Sequence, residues 1–213
     1  MKQRQYNLDK TAYDLEKENK RFIWKFFTYL YFLLFSLRNF KEIYIMCGII
    51  GFTGNLQAPG ILVDGLQQLE YRGYDSAGIA VNNGSETKIV KTTGKVATLR
   101  EKVEATADLA GTCGIGHTRW ATHGGVTEVN AHPHVSGNVT LIHNGIIENY
   151  KELAASLKTK GFTAISETDT EVAAMLIDSL YDGDPFAALK EADKALEGAY
   201  GFCVMFKDHP GEI

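Results

Sequence analysis

The chain has 213 residues, of which 45% are hydrophobic and 23% are charged, an ordinary balance for a globular protein with one sizeable domain. Its formal net charge of -4 and pI near 5.9 argue against a broad basic surface for nucleic acid. The three cysteines have no CxxC spacing, which argues against a disulfide framework and fits a reducing compartment.

The first 45 residues differ in character from the rest of the chain. Residues 1–21 are mostly polar, whereas residues 22–37, FIWKFFTYLYFLLFSL, are almost wholly aromatic and aliphatic. A membrane anchor is one interpretation, but 16 residues interrupted by Lys25 fall short of the roughly 20 that a spanning helix needs. A signal peptide is another, but no small-residue cleavage site follows. We therefore expect residues 1–45 to be an N-terminal extension outside the mature protein, with Met46 as the true start.

From Cys47 onward, short strands and helices alternate. The apolar run after Cys47 predicts a buried strand. Residues 58–70 place apolar side chains at helical spacing, which predicts a helix with one face inward. Asn82-Asn83-Gly84 predicts the turn of a hairpin. Further strands are predicted over residues 76–81, 88–94, 113–120 and 139–145.

The second half of the chain is more helical. Asn149 with Glu152, and Thr168 with Glu171, resemble capping arrangements. The helices that they predict cover about 150–159 and 169–181, Asp184-Pro185 begins a third, and residues 199–206 predict a buried strand. This order fits antiparallel sheets flanked by helices better than a repeating βαβ unit.

Cys47 is the first residue with a candidate chemical role. A lone cysteine in a strand is usually an inert part of the core, but Gly48 and Gly51 remove side chains beside its sulfur. Were Cys47 the first residue, its thiol and free α-amine could act as nucleophile and proton acceptor together. In the 213-residue chain that amine is part of a peptide bond.

The stretch HTRWATHGG, residues 117–125, covers a predicted strand end and the loop after it, where side chains commonly converge on a ligand. Arg119 offers a planar fork that suits a carboxylate. The alternative is a surface arginine beside a core tryptophan, and Trp120 alone would favour that alternative.

Two further stretches contain residues that could bind a substrate. In HNGIIENY, Asn144 and Gly145 could direct a side-chain amide and a main-chain N–H at one oxygen, as an oxyanion hole requires. An isolated Asn-Gly pair is more often a turn. In SETDTEV, Asp169 falls in the first turn of a helix, where the helix dipole favours a carboxylate for structural reasons. It could equally receive a substrate ammonium.

The histidines raise the question of a metal site. Five of them lie between residues 117 and 143, yet the sequence contains neither an HExxH motif nor a paired Cys/His spacing. P-loop and dinucleotide-binding fingerprints are also missing. The sequence therefore predicts neither a metal nor a cofactor.

Six motifs occur in order across residues 46–206: MCGIIGF, LEYRGYDSAGIAV, GHTRWATHG, NAHPH, HNGIIENY and SETDTE. On these motifs the chain resembles the class II glutamine amidotransferases, whose glutaminase domains belong to the N-terminal nucleophile class. The TRWATHG form is more similar to the hexosamine-forming amidotransferases than to the purine-pathway amidophosphoribosyltransferases, which remain an alternative. The resemblance implies an α+β fold, a four-layer αββα sandwich of two stacked antiparallel sheets.

The resemblance also implies roles for the candidate residues. Cys47 would be the catalytic nucleophile and would form a γ-glutamyl thioester, while Asn144 and Gly145 would stabilise the oxyanion. Arg119 would bind the α-carboxylate of L-glutamine, and Asp169 would bind its α-amine. Three neighbours would line the substrate site: Trp120, Thr122 and His123.

In such enzymes the ammonia passes to a C-terminal sugar-phosphate isomerase domain and converts fructose 6-phosphate to glucosamine 6-phosphate. We expect residues 46–213 to be an amidotransferase domain truncated at its C-terminal end, with that isomerase domain missing and a homodimer formed only through it. We expect a cytoplasmic enzyme without a nucleic-acid or membrane partner. The alternative is a catalytically silent or membrane-tethered domain, because Cys47 is not N-terminal in this chain.

Overall fold

A computed structural model describes residues 47–213. The apolar segment 22–37, with its alternative interpretation as a membrane anchor, lies outside the described residues, as does Met46. Within residues 47–213, the helices are all too short or too polar to cross a membrane.

Seven strands, five α-helices and one short 3-10 helix, Glu70–Arg72, follow one another along the described part of the chain. The strands are β1 (Gly48–Thr53), β2 (Ser76–Asn82), β3 (Thr87–Thr93), β4 (Cys113–Arg119), β5 (His134–Ser136), β6 (Val139–Ile147) and β7 (Gly198–Phe206). The helices are α1 (Ala58–Gln67), α2 (Val96–Ala105), α3 (Tyr150–Thr159), α4 (Asp169–Leu180) and α5 (Pro185–Ala195).

The strands form two antiparallel sheets. One has the order β1-β4-β2-β3, and the other has the order β5-β6-β7. In the first sheet Gly48 lies opposite Thr118 and Ser76 lies opposite Arg119, so the starts of β1 and β2 meet the end of β4. In the second sheet Asn144 of β6 lies opposite Gly201 of β7.

Three apolar clusters fill the spaces between the layers. The first packs α1 and α2 against the four-stranded sheet and includes Leu62 and Ile79. The second packs α3, α4 and α5 against the three-stranded sheet and includes Ile177. The third lies between the two sheets, where Ile115 of β4 and Ile142 of β6 are both fully buried. These layers confirm the predicted αββα sandwich.

Strand β4 has glycines on the face that packs against α1 and an isoleucine on the face that packs against the second sheet. Side chains alternate between the faces of a strand. Gly114 and Gly116 face α1, where a Cβ would lie 2.8 Å from Leu62 Cδ1 and 3.3 Å from Leu66 Cδ1. Ile115, between them, packs against the second sheet. The glycines therefore let α1 lie close on this sheet.

The predicted helix caps are confirmed at two of three positions. The Thr168 hydroxyl accepts a hydrogen bond from Glu171 N at 3.3 Å, and Asp184 Oδ1 accepts one from Phe186 N at 3.0 Å. The cap predicted at Asn149 is wrong. Its carboxamide instead donates to Ala195 O, at the end of α5, at 2.8 Å and accepts from Glu197 N at 3.1 Å, because these exposed main-chain groups lie within its reach.

The other predicted elements are confirmed with small shifts at their ends, except that β1, which was predicted to be buried, is buried only at Gly48. Helix α2 and strand β5 were not predicted. Helix α2 buries Val96 and Leu99, a spacing of three that could have indicated a helix. Strand β5 has three residues, too few for an alternating pattern. Strand β7 is buried only over Val204–Phe206, so the prediction of a fully buried strand is wrong for its first half.

Candidate active site

Cys47 lies directly before β1 and is half-buried. The next residue, Gly48, donates its main-chain N–H to Thr118 Oγ1 at 3.0 Å, and a Cβ on Gly48 would lie 2.6 Å from that oxygen. Glycine therefore lets β1 approach β4 here. At the end of β4, the main-chain N–H of Trp120 donates a hydrogen bond to Cys47 Sγ at 3.3 Å.

The surroundings of Cys47 determine its thiol chemistry. Burial raises the pKa of the Cys47 thiol above its ordinary value, and the nearby Asp75 carboxylate acts in the same direction. The hydrogen bond from Trp120 and the positive charge of Arg119 oppose that rise without cancelling it. In this chain the sulfur is therefore mostly protonated at neutral pH, and a nucleophilic thiolate requires a proton acceptor.

Asn144 and Gly145 lie within β6 rather than in a turn. Asn144 Nδ2 is directed at Cys47 O, at a long donor–acceptor distance of 3.5 Å. Gly145 has a φ of +134°, and a Cβ there would collide with Ala199 O of β7. Glycine is therefore required at this position. The structure brings the predicted Asn-Gly pair next to the predicted nucleophile.

Arg119 is the last residue of β4, and its side chain is buried. Nη1 donates to Gly125 O at 3.2 Å, and Nη2 donates to Gly124 O at 3.4 Å and to His123 O. The alternative of a surface arginine is therefore wrong. Three of its five N–H donors hold the carbonyls of the loop after β4, which leaves two for other partners.

The loop after β4 contains the three residues predicted to line the substrate site. Trp120 is 42% exposed, so it is not a core tryptophan. Thr122 lies exposed in the loop. The His123 ring packs edge-on against the Tyr150 ring at 5.1 Å between centroids, and its Nδ1 lies 3.9 Å from Asp169 Oδ2.

Asp169 begins α4 and is buried. Its Oδ2 accepts a hydrogen bond from Ile147 N, at the end of β6, at 3.0 Å. His143 Nδ1 lies 3.9 Å from Oδ1, so two imidazoles and one main-chain N–H surround this carboxylate. Asp169 thus joins the end of β6 to the loop that contains His123.

Two polar residues that sequence reasoning missed support these candidates. Asp75 accepts a hydrogen bond from Ala121 N through Oδ2, and its Oδ1 lies 3.9 Å from Arg119 Nη1. Asn130 joins the loop after β4 to the segment before α4 through its carboxamide. Both lie inside the six motifs, but their spacing gave no sign of these partners.

A group of buried histidines lies behind the site. His117 Nε2 lies 2.8 Å from His143 O, and the rings of His117 and His132 stack at 4.1 Å. Burial lowers the pKa of His117 and of His134 to about 3. Among residues 47–213, no three His, Cys, Asp or Glu side chains are grouped in a way that could hold a metal ion.

The sequence of this domain is similar to that of a known enzyme family. Residues 117–211 match the glutamine amidotransferase domain model. A glutamine-fructose-6-phosphate aminotransferase (isomerizing) of Thermus thermophilus is 54% identical over 166 residues, which cover 77% of this chain and 27% of that protein. The same enzyme of Caldanaerobacter subterraneus is 50% identical over 170 residues, or 79% of this chain and 28% of that protein.

A solved structure shares the fold. The glutamine phosphoribosylpyrophosphate amidotransferase of B. subtilis superposes with a TM-score of 0.64 at 30% identity, over 75% of this chain and 35% of that chain. The chain therefore belongs to the glutamine amidotransferases and contains their glutaminase domain. Within that family, its domain is the one found in glutamine-fructose-6-phosphate aminotransferases. The chain spans about a quarter of the length of these curated relatives.

Proposed function

We propose that this chain hydrolyses the side-chain amide of L-glutamine to glutamate and ammonia, with Cys47 as the nucleophile. The observation that carries the proposal is the position of Cys47 Sγ, 3.3 Å from Trp120 N, in a domain that matches the glutamine amidotransferases. Asn144, directed at the carbonyl of Cys47 from the facing sheet, supports the same assignment.

The reaction runs in two steps. The Cys47 thiolate attacks the amide carbon of glutamine, and the oxyanion that forms is bound by the Asn144 side chain and the Gly145 N–H. The C–N bond then breaks, and ammonia leaves after it receives the proton that the thiol gave up. Water hydrolyses the resulting γ-glutamyl thioester, which releases glutamate and restores the thiol.

Substrate binding is assigned to the residues around the loop after β4. Arg119 binds the α-carboxylate through the N–H donors that the loop carbonyls leave free, and the buried Asp169 carboxylate binds the α-ammonium. Thr122, His123 and Trp120 line the same space. These roles are supported by His123 of that loop, because its carbonyl accepts a hydrogen bond from Arg119 and its ring Nδ1 lies 3.9 Å from Asp169 Oδ2.

The proton acceptor is the α-amine of Cys47, which requires that residue 46 is not bonded to it. A free α-amine has a pKa of about 7.7 to 8.0, which suits a general base near neutral pH. We therefore propose that Met46 is the start of the working protein, that it is removed, and that residues 1–45 are no part of the mature enzyme. The raised pKa of the Cys47 thiol makes such an acceptor necessary.

The wider reaction follows from the relatives. Because they are named as aminotransferases of fructose 6-phosphate, we propose that the ammonia made here aminates that sugar phosphate in a longer protein, giving glucosamine 6-phosphate. A sugar-phosphate isomerase domain would supply that step and the dimer contact. Cys47, Cys113 and Cys203 are free thiols, which fits a cytoplasmic enzyme.

The two alternatives are weaker. Identity to an amidophosphoribosyltransferase is 30%, against 54% to the hexosamine-forming relative. A catalytically silent domain remains the outcome if the bond between Met46 and Cys47 persists in the working protein.

The test is glutamate release from L-glutamine by two forms of the protein, the 213-residue chain and a form that begins at Cys47. We expect turnover only when Cys47 is N-terminal, its loss in Cys47→Ala, and its retention in the matched variant Cys203→Ala. Mass spectrometry of the native protein identifies the N-terminus. Glutamate release that survives Cys47→Ala, or a mature protein that begins at Met1, contradicts the proposal.

A further inference from the structure

We propose that the carboxamide of Asn130 is a positioning group for glutamine binding, because it clamps the loop after β4 to the segment that leads into Asp169. The inference rests on the proposed function, since it assumes that Arg119 and Asp169 bind the α-carboxylate and α-ammonium of glutamine. It assigns a role to a residue that touches neither the sulfur of Cys47 nor the reacting amide.

The clamp consists of Asn130, Gly125 and Glu167. Asn130 Nδ2 donates to Gly125 O at 3.0 Å and to Glu167 Oε2 at 3.0 Å, while Oδ1 accepts from Glu167 N at 2.9 Å. Glu167 Oε2 also accepts from Gly125 N at 3.1 Å. Four hydrogen bonds therefore close a ring through three residues that are up to 42 positions apart in sequence.

The clamp joins the two ends of the proposed substrate site. Gly125 O, which accepts from Asn130, also accepts from Arg119 Nη1 at 3.2 Å. Glu167 lies two residues before Asp169, the first residue of α4. A change at Asn130 would therefore alter the distance and angle between the two charged groups.

The packing around Asn130 is specific for asparagine. The residue is only 2% exposed, so its carboxamide has no access to water in place of these partners. Gly124 has a φ of +76°, and a Cβ there would lie 2.7 Å from Asn130 Nδ2. Aspartate in place of Asn130 would fit the space but would offer no donor to Gly125 O and would place a second carboxylate against Glu167.

Two substitutions test the clamp from its two sides. Asn130→Asp removes both Nδ2 donors and keeps the side-chain shape. Glu167→Ala removes the acceptor shared by Gly125 and Asn130, at a position that is exposed. Glu167→Gln is the conservative control, because one amide oxygen can still accept both hydrogen bonds. Asn149→Asp is the matched control, because it removes the Nδ2 donor of a similar two-bond carboxamide bridge between the start of α3 and the end of α5.

Binding of L-glutamine is measured by calorimetry on the full chain carrying Cys47→Ala, so that turnover cannot consume the ligand. We expect Asn130→Asp and Glu167→Ala to raise Kd about tenfold, since each loses hydrogen bonds that hold the charged groups in place. Glu167→Gln and Asn149→Asp should leave Kd within about twofold of the parent. In the form that begins at Cys47, Asn130→Asp should raise KM and leave kcat nearly unchanged, whereas a merely destabilised enzyme would lose kcat.

The outcomes separate the two proposals. A Kd within twofold of the parent in folded Asn130→Asp and Glu167→Ala overturns the clamp, as does an equal weakening in Asn149→Asp. If the parent binds L-glutamine and the clamp variants bind weakly, yet the form that begins at Cys47 releases no glutamate, the clamp stands and the catalytic proposal fails. If neither the parent nor the form that begins at Cys47 binds L-glutamine, both fail.

Discussion

The main-chain N–H of Trp120 donates a hydrogen bond to the sulfur of Cys47 at 3.3 Å. Trp120 directly follows Arg119, whose guanidinium holds the carbonyls of the next loop. One strand end therefore contacts the candidate nucleophile through its main chain and the candidate substrate loop through a side chain. A change at Arg119 should affect both substrate binding and the fold of this loop.

Arg119→Lys should raise the KM for L-glutamine by about tenfold or more, because one ammonium cannot donate both to the loop carbonyls and to the α-carboxylate. Carbonyls of the loop would also lose their donors, so the free energy of unfolding should fall by about 0.5–1.5 kcal/mol. Steady-state glutaminase kinetics and urea unfolding measure the two effects. An unchanged KM would count against Arg119 as the carboxylate anchor.

Gly145→Ala should abolish glutaminase activity and lower the free energy of unfolding by about 2–5 kcal/mol, through backbone strain and collision with β7. Gly161→Ala separates the two causes, because Gly161 also has a positive φ, +92°, but has nothing within 4 Å of its Cβ position. We expect Gly161→Ala to lose about 1–2 kcal/mol and to keep its activity. Equal losses in the two variants would show that packing against β7 is unimportant.

The candidate site residues could be predicted where one motif contains both the functional side chain and the strand or helix that positions it. Asn144-Gly145 in an apolar run and Asp169 in a capped helix are such cases: Asn144 Nδ2 lies 3.5 Å from Cys47 O, and Asp169 is the first residue of α4. The order of strands and helices was also predictable, because hydrophobic spacing reports which face of an element is buried.

The partners that hold the site could not be predicted in the same way. Arg119 donates to main-chain carbonyls, and a carbonyl has no sequence signature because every residue has one. Asn130 and Glu167 are 37 residues apart, so their contact depends on how the two sheets stack. Local propensity contains no information about such a pair.

The buried histidines predict a pH dependence of stability. Burial lowers the pKa of His117 and of His134 to about 3, so both stay neutral in the folded chain while the unfolded chain binds protons below about 6.5. The unfolded state then holds more protons, and stability falls as the pH falls from about 6.5 towards 3. For each histidine the slope is about half of 1.4 kcal/mol per pH unit at pH 6.5 and approaches about 1.4 kcal/mol per pH unit below about pH 5.5.

Urea unfolding at several pH values between 7 and 5 measures that slope. His134→Gln removes one of these groups and should reduce the slope by about 1 kcal/mol per pH unit, averaged between pH 7 and 5. A slope that His134→Gln leaves intact would contradict the assignment.

Alkylation should report the state of the Cys47 thiol in the 213-residue chain. Because burial raises its pKa, the thiolate fraction at pH 8 should be smaller in the folded chain than in the urea-unfolded chain, where an ordinary thiol has a pKa of about 8.5. The rate of iodoacetamide modification at Cys47, followed by peptide mass spectrometry, should therefore have its midpoint above pH 8.5 in the folded chain.

Cys203 serves as an internal control, because burial raises its pKa further, to about 12, and its modification should be slower still at pH 9. A midpoint for Cys47 at or below that of the unfolded chain would mean that the Trp120 N–H and Arg119 outweigh burial, and that the sulfur needs no separate proton acceptor.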